Sequence, residues 1–224
     1  MEENVYLSNV TPVTVRSQPI SFNHRLIIHD YFDNAALFIP IIDVLNNCSP
    51  DDKIEIHINS GGGSAAIASG VVHAINKCPA EIHCVITGDC ASAATLIALA
   101  CDSVEVADDS LFLFHSSSYS FDGNAQDVKE FSEYSYEWNK KLLDRHYENF
   151  LTPDEIEDLI RNKRQLYMSS EEFLTRYRNR AQKLAEINDD FNSSDIKAMK
   201  KLTKDKLIGI LTGEISFEEA IGEI

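Results

Sequence analysis

Apolar and polar residues alternate strictly through Lys53-Ile54-Glu55-Ile56-His57-Ile58, and a period of two is what a half-buried strand requires. Residues 81–87 (EIHCVIT), 103–106 (SVEV) and 111–115 (LFLFH) also read as strands, and 20–29 (ISFNHRLIIH) as a strand with a loop inside it. Between these runs the spacing becomes helical. Residues 33–47 (DNAALFIPIIDVLNN) carry it behind an Asp or Asn cap, interrupted by Pro40. Residues 65–78 and the run after Ser92 predict helices built from small residues. Strand and helix alternate along this half, which predicts an α/β fold.

Residues 116–124 (SSSYSFDGN) are polar and contain glycine, hence loop. A long helix is expected from about 125 to 150, with Val128, Phe131, Tyr134, Trp138 and Leu142 as the apolar stripe of one face. Thr152 caps the next helix, with Pro153 in its first turn, and another helix starts at Ser169 or Ser170. Beyond about Asn188 the chain becomes charged and lysine-bearing. The expected organisation is therefore a core over 1–187 and a small helical extension over 188–224.

Composition narrows the function. An apolar share of 44% over 224 residues is ample for a core. The net charge of −16, from 36 acidic and 20 basic residues, argues against a nucleic-acid partner, because phosphate backbones call for a basic face. Cysteines 48, 78, 84, 90 and 101 contain no CxxC pair and read as reduced, mostly buried thiols of a cytoplasmic protein. His73 and His83 are too isolated to suggest a metal, and no cofactor is expected. The first residues, MEENVYLSNV, lack the pattern of a secretory signal, and the apolar run within 90–101 is too short for a bilayer.

The chemistry concentrates at three places. Ser92, in GDCASAA (88–94), sits between a predicted strand and a predicted helix, where unpaired N–H groups gather. His115 closes LFLFH, and Gly61-Gly62-Gly63 follows another strand, where glycine lets a backbone N–H approach a ligand. Together they supply a nucleophile, a base and oxyanion donors, the parts of acyl transfer. Each also has a plain reading: a packing serine, a strand-end histidine, a flexible turn. Trp138 reads as interface or core, and Glu155, Glu157 and Asp158 as a solvated helix face.

These residues resemble the proteolytic subunit of the Clp protease, a serine peptidase within the crotonase-like fold. INSGGGSAAIASG (58–70) resembles that family's glycine loop, with Gly61 where proline is usual; GDCASAA resembles its nucleophile turn, and SLFLFHSSS (110–118) its histidine strand. The segment 125–150 is similar to the handle helix that pairs two rings, and LYMSSEEF (166–173) to the stretch after the third triad residue. The likeness covers roughly 16–180. It implies a repeated β-β-α core with a long handle helix, Ser92 as nucleophile, His115 as general base and then acid, and the N–H groups of Gly63 and Ala93 as the oxyanion hole. It further implies peptide or protein substrates, a homo-oligomeric ring chamber, and an ATP-driven unfoldase of the AAA+ class as partner.

One departure stands out. The family places an aspartate just before the LYMS-like motif, and here that count lands on Gln165, with Asn162 the other polar candidate; no Asp or Glu lies between Asp158 and Glu171. An amide can fix a histidine tautomer but cannot stabilise the imidazolium as a carboxylate does, a loss worth about 10⁴ in rate in one serine-protease case. The missing aspartate motivates an alternative, a ring subunit with weak or no catalysis; the shared fold and oxyanion hole add a third, an acyl-CoA enzyme of the crotonase type, against which Ser92 and His115 argue. The family's usual C-terminal strand is also missing, replaced by RNRAQKLAEINDDFN.

Overall fold

The computed structural model describes residues 21–192, with side chains described as far as residue 184. The chain divides into two compact units after Leu174. In the first, the half-buried runs form one mixed sheet. Strand β1 (Asn23–Phe32) pairs in parallel with β2 (Lys53–Gly63), and β2 pairs in parallel with β3 (Glu81–Ala91). The far edge of β3 is shared. Its first half pairs with β4 (Ser103–Val106) and its last residues with β5 (Leu111–Phe114), both in parallel, and β6 (Leu166–Ser169) closes the sheet antiparallel to β5.

Helix α1 (Ile39–Asn47) connects β1 to β2, α2 (Ala65–Ile75) follows β2, and α3 (Ala93–Ala100) follows β3. Period-two alternation buries Ile54, Ile56 and Ile58 of β2 and Ile82, Cys84 and Ile86 of β3. Lys53, Glu55, His57, Glu81 and His83, on the opposite face, are exposed or half-buried. Helices α4 (Ala125–Tyr147), α5 (Pro153–Arg161) and α6 (Ser170–Asn192) come from the second half of the chain. The α5 cap is reciprocal: Thr152 Oγ1 accepts from the Glu155 N–H while the Glu155 carboxylate accepts from the Thr152 N–H.

Several elements differ from the sequence expectation. β1 has no internal loop; it runs to Phe32, with a register shift between His29 and Tyr31. Pro40 begins α1 rather than interrupting it, because a proline in the first turn forfeits no helical hydrogen bond. β2 continues through the glycines that looked like loop, since Tyr31 and Phe32 pair with Gly62 and Gly63. β6 was not expected as a strand. The predicted stripe on α4 is not its buried face: Tyr134 is 69% exposed and Trp138 38%, while Ser135, Asn139, Leu143 and Tyr147, spaced by four, are buried. Cys48 and Cys78 are half-buried, whereas Cys84, Cys90 and Cys101 lie in the core. Residues 193–224 of the expected extension fall outside the described residues.

An aromatic cluster fixes the edge of the sheet that matters most. Phe112 stacks on Phe173 with ring centroids 3.9 Å apart, and Phe114 meets Tyr147 edge-on at 5.2 Å and Phe150 at 5.4 Å. Such pairs contribute about 0.5–1.5 kcal/mol each beyond their burial. Burying Phe112 and Phe114 on one side of β5 turns the alternate residues to the other side, and His115 continues that alternate series.

Candidate active site

The register of the sheet brings two distant stretches together. Ala91 pairs with Leu113, and the Ser92 N–H donates to the Leu113 carbonyl at 2.7 Å. Ser92 and His115 therefore leave the sheet at the carboxyl ends of adjoining strands, about 4.8 Å apart in the pairing direction. In open parallel sheets that end is where ligands bind. Both residues border one cleft of about 810 Å³, together with Gly61, Gly63 and Ala93.

Ser92 is the hinge between β3 and α3. Its φ of 54° and ψ of −128° lie in a region that costs of order 1–3 kcal/mol for a residue with a side chain. A serine at a helix start commonly caps it, but this one makes no side-chain cap bond, which leaves its hydroxyl for other work. A strained strand-to-helix turn of this kind is how a nucleophilic serine is raised at the top of an α/β sheet. Thr95 secures the turn: its Oγ1 donates to the Ser92 carbonyl at 2.7 Å and lies 2.7 Å from the Tyr147 hydroxyl. Both Thr95 and Tyr147 are buried, and burial pushes the Tyr147 phenol well above its usual range, so it stays a neutral donor.

The glycine strand presses directly on this turn. A Cβ on Gly62, whose φ is 90°, would lie 2.4 Å from the Ala91 carbonyl oxygen and 2.9 Å from the Ala93 nitrogen. Gly63 is held from the other side by the Phe32 backbone. The Ser64 N–H donates to the Phe32 carbonyl at 2.8 Å, the bond that accompanies the Phe32–Gly63 rung. Along a parallel strand successive residues bond to opposite edges, so the Gly63 N–H faces the β3 side. Ala93, at the first helical position, has an N–H with no intrahelical acceptor. Gly61 borders the cleft too, yet an added Cβ there meets nothing within 4 Å.

His115 is half-buried, and that burial lowers its imidazole pKa from the usual value, partly offset by a hydrogen bond with the Ser116 backbone. Among the described residues no hydrogen bond joins it to Ser92. The β5–β6 pairing runs Leu111 to Ser169, Phe112 to Met168 and Phe114 to Leu166, and one further step sets Gln165 opposite His115. Gln165 and His115 both line a second cavity, of about 400 Å³. Gln165 Oε1 accepts from the Tyr167 hydroxyl at 2.7 Å, and among the described residues no hydrogen bond joins Gln165 to His115. Asn162 does not join them; it ends α5, with its side-chain amide on Asp158.

Four residues at this site were not among the sequence candidates. Asn139, buried on α4, borders both cavities and its Oδ1 accepts from the Ser117 N–H at 3.2 Å, which ties down the loop after His115. Its four-residue spacing from Ser135, Leu143 and Tyr147 was visible, but the aromatic stripe beside it drew the reading away. Thr95 carried no signal beyond lying three residues after Ser92. Lys163 and Arg164 also border the second cavity, and no Asp or Glu lines either one.

A family model described as Clp protease matches residues 26–176, more than half of the chain. No curated protein matches the chain.

Proposed function

Since this chain belongs to the Clp protease family, we propose that it is a serine endopeptidase subunit with Ser92 as nucleophile and His115 as base. Neutral His115 takes the Ser92 hydroxyl proton as Oγ attacks the scissile carbonyl carbon. The N–H groups of Gly63 and Ala93 hold the oxyanion that forms, donors worth about 10²–10³ in rate each. The imidazolium then gives its proton to the leaving amine as the C–N bond breaks. Water, activated by the same imidazole, hydrolyses the resulting ester and returns the proton to Ser92. No step calls for a nucleotide or a metal. In free enzymes the hydrogen bond between nucleophile and base is often long and tightens only with substrate.

The observation that carries this reading is one cleft shared by a strained, uncapped serine, a half-buried histidine and two backbone N–H groups. Of the small residues around Ser92, Ala93 borders the cleft, while Ala91 and Ala94 are buried, Ala91 where the Gly62 backbone packs on the turn. A fluorophosphonate probe is expected to label the wild-type chain at Ser92 and to leave Ser92→Ala unlabelled. Equal labelling of both would overturn the assignment.

A homo-oligomeric ring in the cytoplasm, fed with protein by an AAA+ unfoldase, follows the family pattern. It is supported here by Tyr134 and Val128, which stand exposed on α4, and by Ile27 and Tyr31, exposed on β1. No described helix is long and apolar enough to cross a membrane. A second reading, a ring subunit with little catalysis, is favoured by the lack, among the described residues, of a carboxylate lining the cavity beside His115. An assembled oligomer that turns over no small peptide ester would support it.

A further inference from the structure

We propose that the cavity behind His115 binds a carboxylate anion supplied from solution, which stands beside the imidazole and completes the site. This rests on the Ser92–His115 reading above.

His115 is common to both cavities. On one side lies the Ser92 cleft, and on the other a space of about 400 Å³, ample for formate or acetate with water. Polar groups that border this space include several donors, beside the Ser116, Ser117 and Ser118 hydroxyls, which can donate or accept. The Asn139 amide oxygen is taken by the Ser117 N–H and the Gln165 amide oxygen by the Tyr167 hydroxyl, which leaves each amide its NH₂ to offer. Lys163 and Arg164 add positive charge. Arg164 is shared with Asp158, 3.1 Å away, but among the described residues no carboxylate pairs with Lys163. The Tyr119 and Tyr136 hydroxyls also border this space, and each can donate or accept.

Such a cluster is at odds with the chain around it, which carries a net charge of −16. A donor-lined, cationic recess beside a histidine that lacks an acid partner fits a small planar anion with two acceptor oxygens. A carboxylate there accepts the imidazole N–H on the side away from Ser92, fixes the tautomer that takes the serine proton, and stabilises the imidazolium once it forms. No bond is made or broken to the anion. It acts by its charge and by one hydrogen bond.

Sodium formate is the probe, with sodium chloride at equal ionic strength as control, and the histidines of the full-length chain are followed by NMR. In formate the His115 pKa is expected to rise saturably by about one pH unit or more, in the wild type and in Ser92→Ala alike. Lys163→Ala should weaken formate's effect at least about tenfold, on the scale of one charge-assisted contact. Fluorophosphonate labelling of Ser92 should accelerate by about tenfold or more in formate. Gln165→Glu should raise the His115 pKa without formate and make labelling indifferent to it, and Gln165→Asp serves if that variant does not fold. A His115 response in a protein whose Ser92 never labels would uphold the anion site and overturn the peptidase reading. Labelling of Ser92 with no response of His115 or of the rate to formate would overturn the anion site alone. An equal response to chloride would overturn the carboxylate assignment.

Discussion

An added Cβ at Gly63 would lie 1.9 Å from the Phe32 carbonyl oxygen and 2.6 Å from its carbon, both backbone atoms within a paired strand. No side-chain rotation relieves that contact, so β1 and β2 must part. Gly63→Ala is expected to cost at least about 2 kcal/mol of stability, in the range of substitutions that break a special backbone approach, and to slow Ser92 labelling by moving the Gly63 N–H. Thermal unfolding together with the labelling rate checks both. Gly61→Ala meets open space and is the control, with unfolding close to the wild type. The glycine run is thus two constrained positions and one open one.

Among elements, α4 does more than its exposed aromatic stripe suggested. Its buried line reaches the Ser92 turn through Tyr147 and the loop after His115 through Asn139. Because the Thr95 hydroxyl proton goes to the Ser92 carbonyl, Tyr147 supplies the proton between the two hydroxyls. Tyr147→Phe removes one buried hydrogen bond and keeps the ring that packs on Phe114. Stability should fall by about 1 kcal/mol. Peptidase kcat should fall several-fold with KM little changed, since the loss touches the placement of Ser92 while the ring that borders the cleft stays in place. A matching rise in KM would count against a positioning role. β6 matters in a similar way: four residues long and antiparallel, it carries the register that puts Gln165 opposite His115.

For the molecule as a whole, the unusual feature is a largely parallel sheet whose second face carries half-buried polar residues among the described residues. Parallel sheets are ordinarily covered on both sides. Here Glu55, His57 and His83 lie on that face, with Ile27 61% exposed beside them. Exposed apolar positions there and on α4 are surfaces suited to further copies of the chain. Val128→Ser combined with Tyr134→Ser alters exposed positions only, so the fold should be retained within about 0.5 kcal/mol per site. Sedimentation velocity is expected to show the proposed ring lost while circular dichroism stays unchanged. Retention of the large species would show that these side chains do not hold it together.

What the sequence determined is local and periodic: the alternation of Lys53–Ile58, the Thr152–Pro153 start of α5, and the strand-to-helix turn at Ser92. Each rests on residues a few positions apart, whose preferences are set by pleat, cap and turn chemistry. Their order along the chain carried the family. What only the tertiary structure decided depends on partners far away in the chain. The strand through Gly62 and Gly63 exists because Phe32 pairs with it, and the buried face of α4 is the one that finds Ser117 and Thr95. The surroundings of His115 were set by the β5–β6 register, which joins residues 111–114 to 166–169 across a separation no local pattern encodes. Long-range pairing is selected by the summed burial and hydrogen bonding of whole elements, and a single stretch read by itself holds only its own share of that sum.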